Sequence, residues 1–157
     1  MYFGRRHYTN DSDRPFGAVM RKLDQRGVAA FEFCIIAAAF FTVLFAVFDL
    51  ARYAITVQSL RALANAGARS MMISDCYVNA AINQTTPTCS GDPLPTDTAK
   101  QAIAPFLYNG GLTPTLNVPA AGATPLLVTA SQPGFTMLNP IWGSTFNAPS
   151  VTTRVPF

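Results

Sequence analysis

Histidine is almost absent from this sequence: the single one, His7, stands in the first segment, and residues 28–157 contain none. Nucleophile triads that use His and His-ligated metal sites are therefore excluded from that stretch. Proline is missing over a long interval, with none between Phe16 and Thr86, whereas eleven fall between Pro87 and Pro156. The proline-free interval is long enough for one continuous helix, and the remainder is too interrupted for another. Charge is scarce, at 12% of residues, and unevenly placed. Residues 1–27 hold six bases (Arg5, Arg6, Arg14, Arg21, Lys22, Arg26) against three acids (Asp11, Asp13, Asp24), while the other 130 residues balance five bases with five acids. The net charge of +3 belongs to the first segment, so the folded part has no charge support for binding nucleic acid. The length of 157 residues allows one small domain plus an appendage.

Catalytic patterns are missing too. There is no Gly-x-Ser-x-Gly, no His-Glu-x-x-His, no P-loop and no paired carboxylates at a recognisable spacing. Asp75, Asp92 and Asp97 are scattered. The expectation is a protein without enzymatic activity, cofactor or metal.

What the chain does have is a long apolar run. Val28 to Phe48 reads VAAFEFCIIAAAFFTVLFAVF, 21 residues whose strongly polar member is Glu32 and whose mildly polar one is Thr42. At ~1.5 Å per residue this spans roughly 30 Å, the hydrocarbon thickness of a bilayer. A run apolar on all faces needs protein on every side if it is not in lipid, and the Pro-rich remainder is too small to supply that. Arg21, Lys22 and Arg26 precede the run, whereas Asp49 and Arg52 cancel just after it. That asymmetry places the N-terminus in the cytoplasm and the C-terminus on the far side of a single membrane pass. No break in helical propensity follows the run, which argues against removal of the apolar segment as a signal peptide.

The helix is expected to continue through LARYAITVQSLRALANAGARSMM as an amphipathic extension, with Ile55, Leu60, Leu63, Ala64, Gly67 and Met71 near one stripe and Arg52, Gln58, Arg61, Asn65 and Arg69 mostly elsewhere. Asp49 and Arg52, spaced i, i+3, form a candidate ion pair at the helix exit, worth ~0.5 kcal/mol at an exposed site. From residue 73 turn formers dominate. A short helix is expected from Asp97 to Ala104, capped by Thr96 or Asp97, with Ala99 and Ile103 inward and Pro105 ending it; Asn109, Gly110 and Gly111 then turn the chain. Strands are expected at 115–118, 126–130, 135–138 and 151–155, in a small antiparallel sheet. The fold class is α+β. Its divisions are a basic leader at 1–27, a transmembrane helix at 28–50, the amphipathic extension at 51–72 and a head at 73–157.

Cys76 and Cys89 both lie in the head, separated by turn-forming sequence, and are expected to form a disulfide worth roughly 3 kcal/mol, free thiols being the alternative. Cys34, inside the apolar run, reads as a small packing residue. Phe135, Trp142, Phe146 and Phe157 read as core or contact aromatics in preference to an adhesive surface.

Glu32 carries the most information. A carboxylate five positions into an apolar helix costs a few kcal/mol at bilayer depth unless a partner offsets it; alternatively it reaches water at the cytoplasmic interface, favoured by the helix dipole. Gly27 stands immediately before the run, giving Arg-Gly-Val-Ala-Ala-Phe-Glu-Phe. Glycine followed five residues later by glutamate resembles the prepilin peptidase site of type IV pilins and pseudopilins. RGVAAFEFCIIAAAFFTVLFAVFDLARYAITVQSLRALANAGARS resembles the start of TadE-like proteins, pseudopilins of tight-adherence (Tad, Flp) pilus systems. Phe33 matches the aromatic residue after the glutamate, Asp49 and Arg52 resemble the family's helix exit, and FTMLNPIWGSTFNAPS is loosely similar to its tail. The first mature residue is valine, unlike many type IVa pilins, and the chain is longer than the short Flp major pilins.

The resemblance implies a minor pilin or pseudopilin cut between Gly27 and Val28, with Glu32 and Phe33 serving recognition and assembly. It implies as partners the prepilin peptidase, other pilin subunits, the inner-membrane assembly machinery and the lipid bilayer. Glu32 would then neutralise the new amine of a neighbouring subunit. The competing reading is an uncleaved single-pass anchor with a partner-binding periplasmic head.

Overall fold

The computed structural model describes residues 17–118 and 125–157. The chain separates into two compact units, residues 1–44 and 45–157. Residues 1–16 of the expected leader, His7 included, lie outside the described residues.

Helix α1 runs Gly17–Met72, without interruption across the proline-free interval. In the first unit, residues 27–44 are exposed apart from half-buried Ala37 and Leu44. The helix is apolar on every face there, with Phe31, Phe33, Ile36 and Val43 each more than 60% exposed. Most of this surface is exposed among the described residues, as expected of a segment whose solvent is lipid or other helices.

In the second unit α1 changes character at Asp49. From there one side is buried, through Asp49, Thr56, Leu60, Leu63, Ala64, Gly67, Ala68 and Met71, at the spacing of a helix with one covered face. Ile55 does not join this stripe and is 47% exposed. One residue later, Thr56 takes the inward position, a full turn before Leu60, and donates from Oγ1 to the carbonyl of Arg52 at 2.9 Å. Gln58, Arg61, Asn65 and Arg69 are exposed, as the pattern predicts.

The helix ends where Ser74 adopts an extended conformation and its Oγ donates to the Met71 carbonyl at 2.6 Å. A helix absent from the sequence reading follows, α2 (Asp75–Asn83), with Asp75 in its first turn and Gln84 in the left-handed region at its end. Its nine residues sit between two stronger signals, the end of a 56-residue helix and a Thr/Pro-rich loop. Helix α3 is Asp97–Ile103; Thr96 Oγ1 accepts from the Ala99 amide at 3.4 Å, and a 3-10 turn begins at Pro105. The inward residue of α3 is Lys100, not Ile103, which stays exposed. Its ammonium reaches the Asp92 carboxylate at 2.5 Å, so its stem covers apolar surface while its charge is paired.

Strands β1 (Thr115–Asn117), β2 (Leu126–Ser131) and β3 (Ser150–Val155) form an antiparallel sheet in the order β1-β2-β3. Val118 extends β1 by an isolated bridge to Gly91. Central β2 alternates, with Leu126, Val128 and Ala130 fully buried, and these join Leu60, Leu63, Ala64 and Met71 of α1 in one core. The expected strand at 135–138 does not form, because its amides are committed elsewhere. Phe135 donates to the Gln132 carbonyl, Met137 to the Asn147 side chain, and Leu138 to Asp49. These residues belong instead to the long β2–β3 connection, 132–149.

Gly67 is where helix and sheet come closest. A Cβ there would lie 2.9 Å from Leu116 Cδ2, 3.1 Å from Pro93 Cγ and 3.2 Å from Val128 Cγ1. Gly67→Leu is expected to cost ~2 kcal/mol or more by overpacking and to lower the thermal midpoint of the detergent-solubilised chain. An unchanged midpoint would show that the close approach is not required.

Candidate functional site

The two units carry two groups of residues that the sequence singles out. The first is Gly27 to Phe33. All seven residues are helical and exposed. A Cβ on Gly27 would meet nothing within 4 Å, and its backbone is helical, so neither space nor conformation within the chain calls for glycine. At a helix interior glycine costs ~1 kcal/mol against alanine. Val28 is 54% exposed, and Glu32 stands four residues on, one turn along the same face. Among the described residues no side chain hydrogen-bonds or ion-pairs with Glu32. Phe33 is 71% exposed, and Cys34 is an exposed free thiol.

The second group surrounds Asp49. Asp49 and Arg52 lie 3.3 Å apart, Nη1 to Oδ1. The carboxylate is not at an exposed site, as the sequence suggested, but 97% buried. It accepts the amides of Leu138, at 3.2 Å, and Asn139, at 2.9 Å. These partners are ninety residues away in sequence, which is why no local pattern announced them. Arg52 also stacks over Phe135, 5.4 Å from the ring centroid. Tyr53, one residue on, contacts Phe135 and Phe146, and Phe146 contacts Trp142 edge to face. The aromatics of the long connection therefore pack against α1. Phe157 instead meets Tyr77, whose hydroxyl donates to the Pro156 carbonyl.

Beside this cluster is a cleft of about 210 Å³ lined by Arg52, Thr56, Leu107, Gln132 and Phe135 among others. Gln132 donates from Nε2 to the Leu107 carbonyl at 2.9 Å. Arg52 is the one ionisable residue of the lining, so the cleft has no acid and base to work together. Among the described residues no group of His, Cys, Asp or Glu is arranged to hold a metal.

Cys76 and Cys89 are joined as a disulfide, with Cα atoms 5.7 Å apart. The bridge ties the first turn of α2 to the loop that follows it.

The family model described as TadE-like protein matches residues 27–69. Through that segment the chain is similar to TadE-like proteins. The match begins at Gly27, covers both groups of α1 residues and ends just short of the helix end. The match supports involvement in a Tad pilus system and interaction with other pilus components. No curated protein and no solved structure matches the chain. Among the described residues one helix, near the N-terminus, is long and apolar enough to cross a membrane, which is compatible with a single-pass membrane protein.

Asp49→Ala is expected to leave two amides without an acceptor and to destabilise the connection by about 3 kcal/mol. Hydrogen exchange at Leu138 and Asn139 should accelerate while β2 stays protected. Unaltered exchange at both amides would remove Asp49 as the tie.

Proposed function

We propose that this TadE-like chain is a minor pilin or pseudopilin of a Tad pilus, cut by a prepilin peptidase between Gly27 and Val28 and assembled through α1. The observation that carries the reading is the exposed Gly27–Phe33 segment. It holds a glycine that neither space nor backbone conformation requires and a carboxylate without a partner among the described residues, on a helix apolar on nearly every side. A second molecule acting on the segment would give each of these features a role.

Cutting after Gly27 removes the basic leader from the cytoplasmic side and leaves a cationic amine on Val28. In apolar surroundings that amine and Glu32 would each be costly alone, and pairing between neighbouring subunits offsets both. Within one chain the two lie a single turn apart, so a pair between subunits sets an axial offset between their helices. Apolar contact among helices supplies cohesion, and the disulfide-tied head stays in the periplasm or on the filament surface.

Mass spectrometry of the membrane fraction should find a chain beginning at Val28 in cells with active peptidase. An intact leader under those conditions would favour the uncleaved anchor and defeat the proposal. Glu32→Ala is expected to leave cutting largely intact and to reduce recovery in sheared filaments about tenfold or more, since a stranded buried charge costs ~3 kcal/mol. Normal incorporation of that variant would take Glu32 out of the assembly step.

A further inference from the structure

We infer that the β2–β3 connection makes a second contact with the membrane: segment 137–142 lies at the boundary of the hydrocarbon layer and presents Leu138 and Ile141 to the acyl chains of the leaflet on the head's side. This rests on the reading that residues 28–48 cross a bilayer. It concerns a surface outside the matched segment.

Depth is the first argument. The apolar run ends at Phe48 after 21 residues, which rise about 30 Å and so consume the hydrocarbon thickness. The next residue, Asp49, accepts two successive amides of the connection, Leu138 at 3.2 Å and Asn139 at 2.9 Å. Whatever depth Asp49 has, the backbone of this segment shares it.

Exposure is the second. Leu138 is 75% exposed and Ile141 63%, above a carboxylate that is 97% buried. Trp142 of the segment is in ring contact with Phe146 at 5.8 Å, and Phe146 with Tyr53 of α1 at 5.0 Å. The two aliphatic side chains are thus held outward on a supported loop. An interface would give both side chains apolar surroundings.

Hydrogen bonding is the third and the most selective. Irregular backbone tolerates lipid only if its amides are satisfied within the protein. Here Met137 donates to Asn147 Oδ1 at 2.9 Å, Leu138 and Asn139 to Asp49, and Ile141 to Asn139 Oδ1 at 3.1 Å. Trp142 donates to the Asn139 carbonyl at 3.4 Å, and position 140 is proline, which has no amide hydrogen. Every backbone donor from 137 to 142 is satisfied. The segment also carries no charged side chain.

Trp142 is the one tryptophan of the chain, so its emission reports this segment without a label. The full chain is reconstituted in vesicles whose lipids are brominated either near the headgroup or near the bilayer centre. Shallow bromines are expected to remove about half of the Trp142 emission, and deep bromines far less, as befits an interfacial ring. Leu138→Asp combined with Ile141→Asp should abolish most of the shallow quenching while the helical circular dichroism signal is kept. Phe40→Trp in a Trp142→Phe background is the control for the span, with quenching by deep bromines expected. A quenched control variant beside unquenched Trp142 in the native chain overturns the inference alone. Absence of quenching in both proteins overturns the spanning reading and the inference with it. Quenching of Trp142 that vanishes as the protein-to-lipid ratio rises would assign the surface to a second copy of the chain, and would overturn it too.

Discussion

A helix that leaves one solvent for another must exchange its burial partners at a definite residue, and in this chain that residue is Asp49. Through Phe48 the helix is apolar on all faces and uncovered. From Asp49 onward one face is covered by the head and the opposite face carries Gln58, Arg61, Asn65 and Arg69. A carboxylate at such a point is costly unless several donors surround it. Asp49 has three, two from the connection and one from Arg52. The same contacts hold the connection, and with it the ring cluster around Tyr53, against the helix.

Beyond Asp49 the head is stabilised by few, specific devices, because its core is one sheet face against one helix face. Burial of residues such as Leu60, Leu63, Leu126 and Val128 supplies about 1.5–3 kcal/mol each. Gly67 lets the helix approach β1 and β2 closely enough for these side chains to meet. The Cys76–Cys89 bridge closes a short loop, for which chain entropy predicts about 3 kcal/mol. A domain with so small a core depends on such cross-links more than a large one does.

The sequence made the α1 pattern legible because hydrophobic periodicity and proline placement are local and repeated. Thr96, Asp97 and Pro105 marked α3 for the same reason, through a cap and a stop. What could not be read was set by contacts distant in sequence. Phe135 to Leu138 has the composition of a strand, yet its amides pair with Gln132, Asn147 and Asp49. Ile55 looked inward because it is apolar, but the phase of the helix is set by Leu60 and Leu63, and polar Thr56 sits at the inward position by satisfying its hydroxyl on Arg52. Lys100 is hidden in α3 by its pairing with Asp92, which composition alone would assign to solvent. Of the candidate site residues, Asp49 and Arg52 were visible as a pair, and the burial of Asp49 was not.

Glu32 and Asp49 are both carboxylates on the same helix, and the contrast between them bears on how α1 would work in a filament. Asp49 is buried and accepts from three donors of its own chain. Glu32 has none among the described residues. A rod apolar on every face gains cohesion from any neighbouring rod but little preference for one axial offset over another, since sliding exchanges one apolar contact for the next. A single acceptor at a defined height removes that degeneracy, because an offset that leaves it unpaired is penalised at every subunit. In the proposed filament, one acid bonded within its own chain at the head boundary and one without a partner among the described residues near the opposite end of the apolar run would divide two tasks. The first ties the connection to its own helix, and the second would be left for the register between helices.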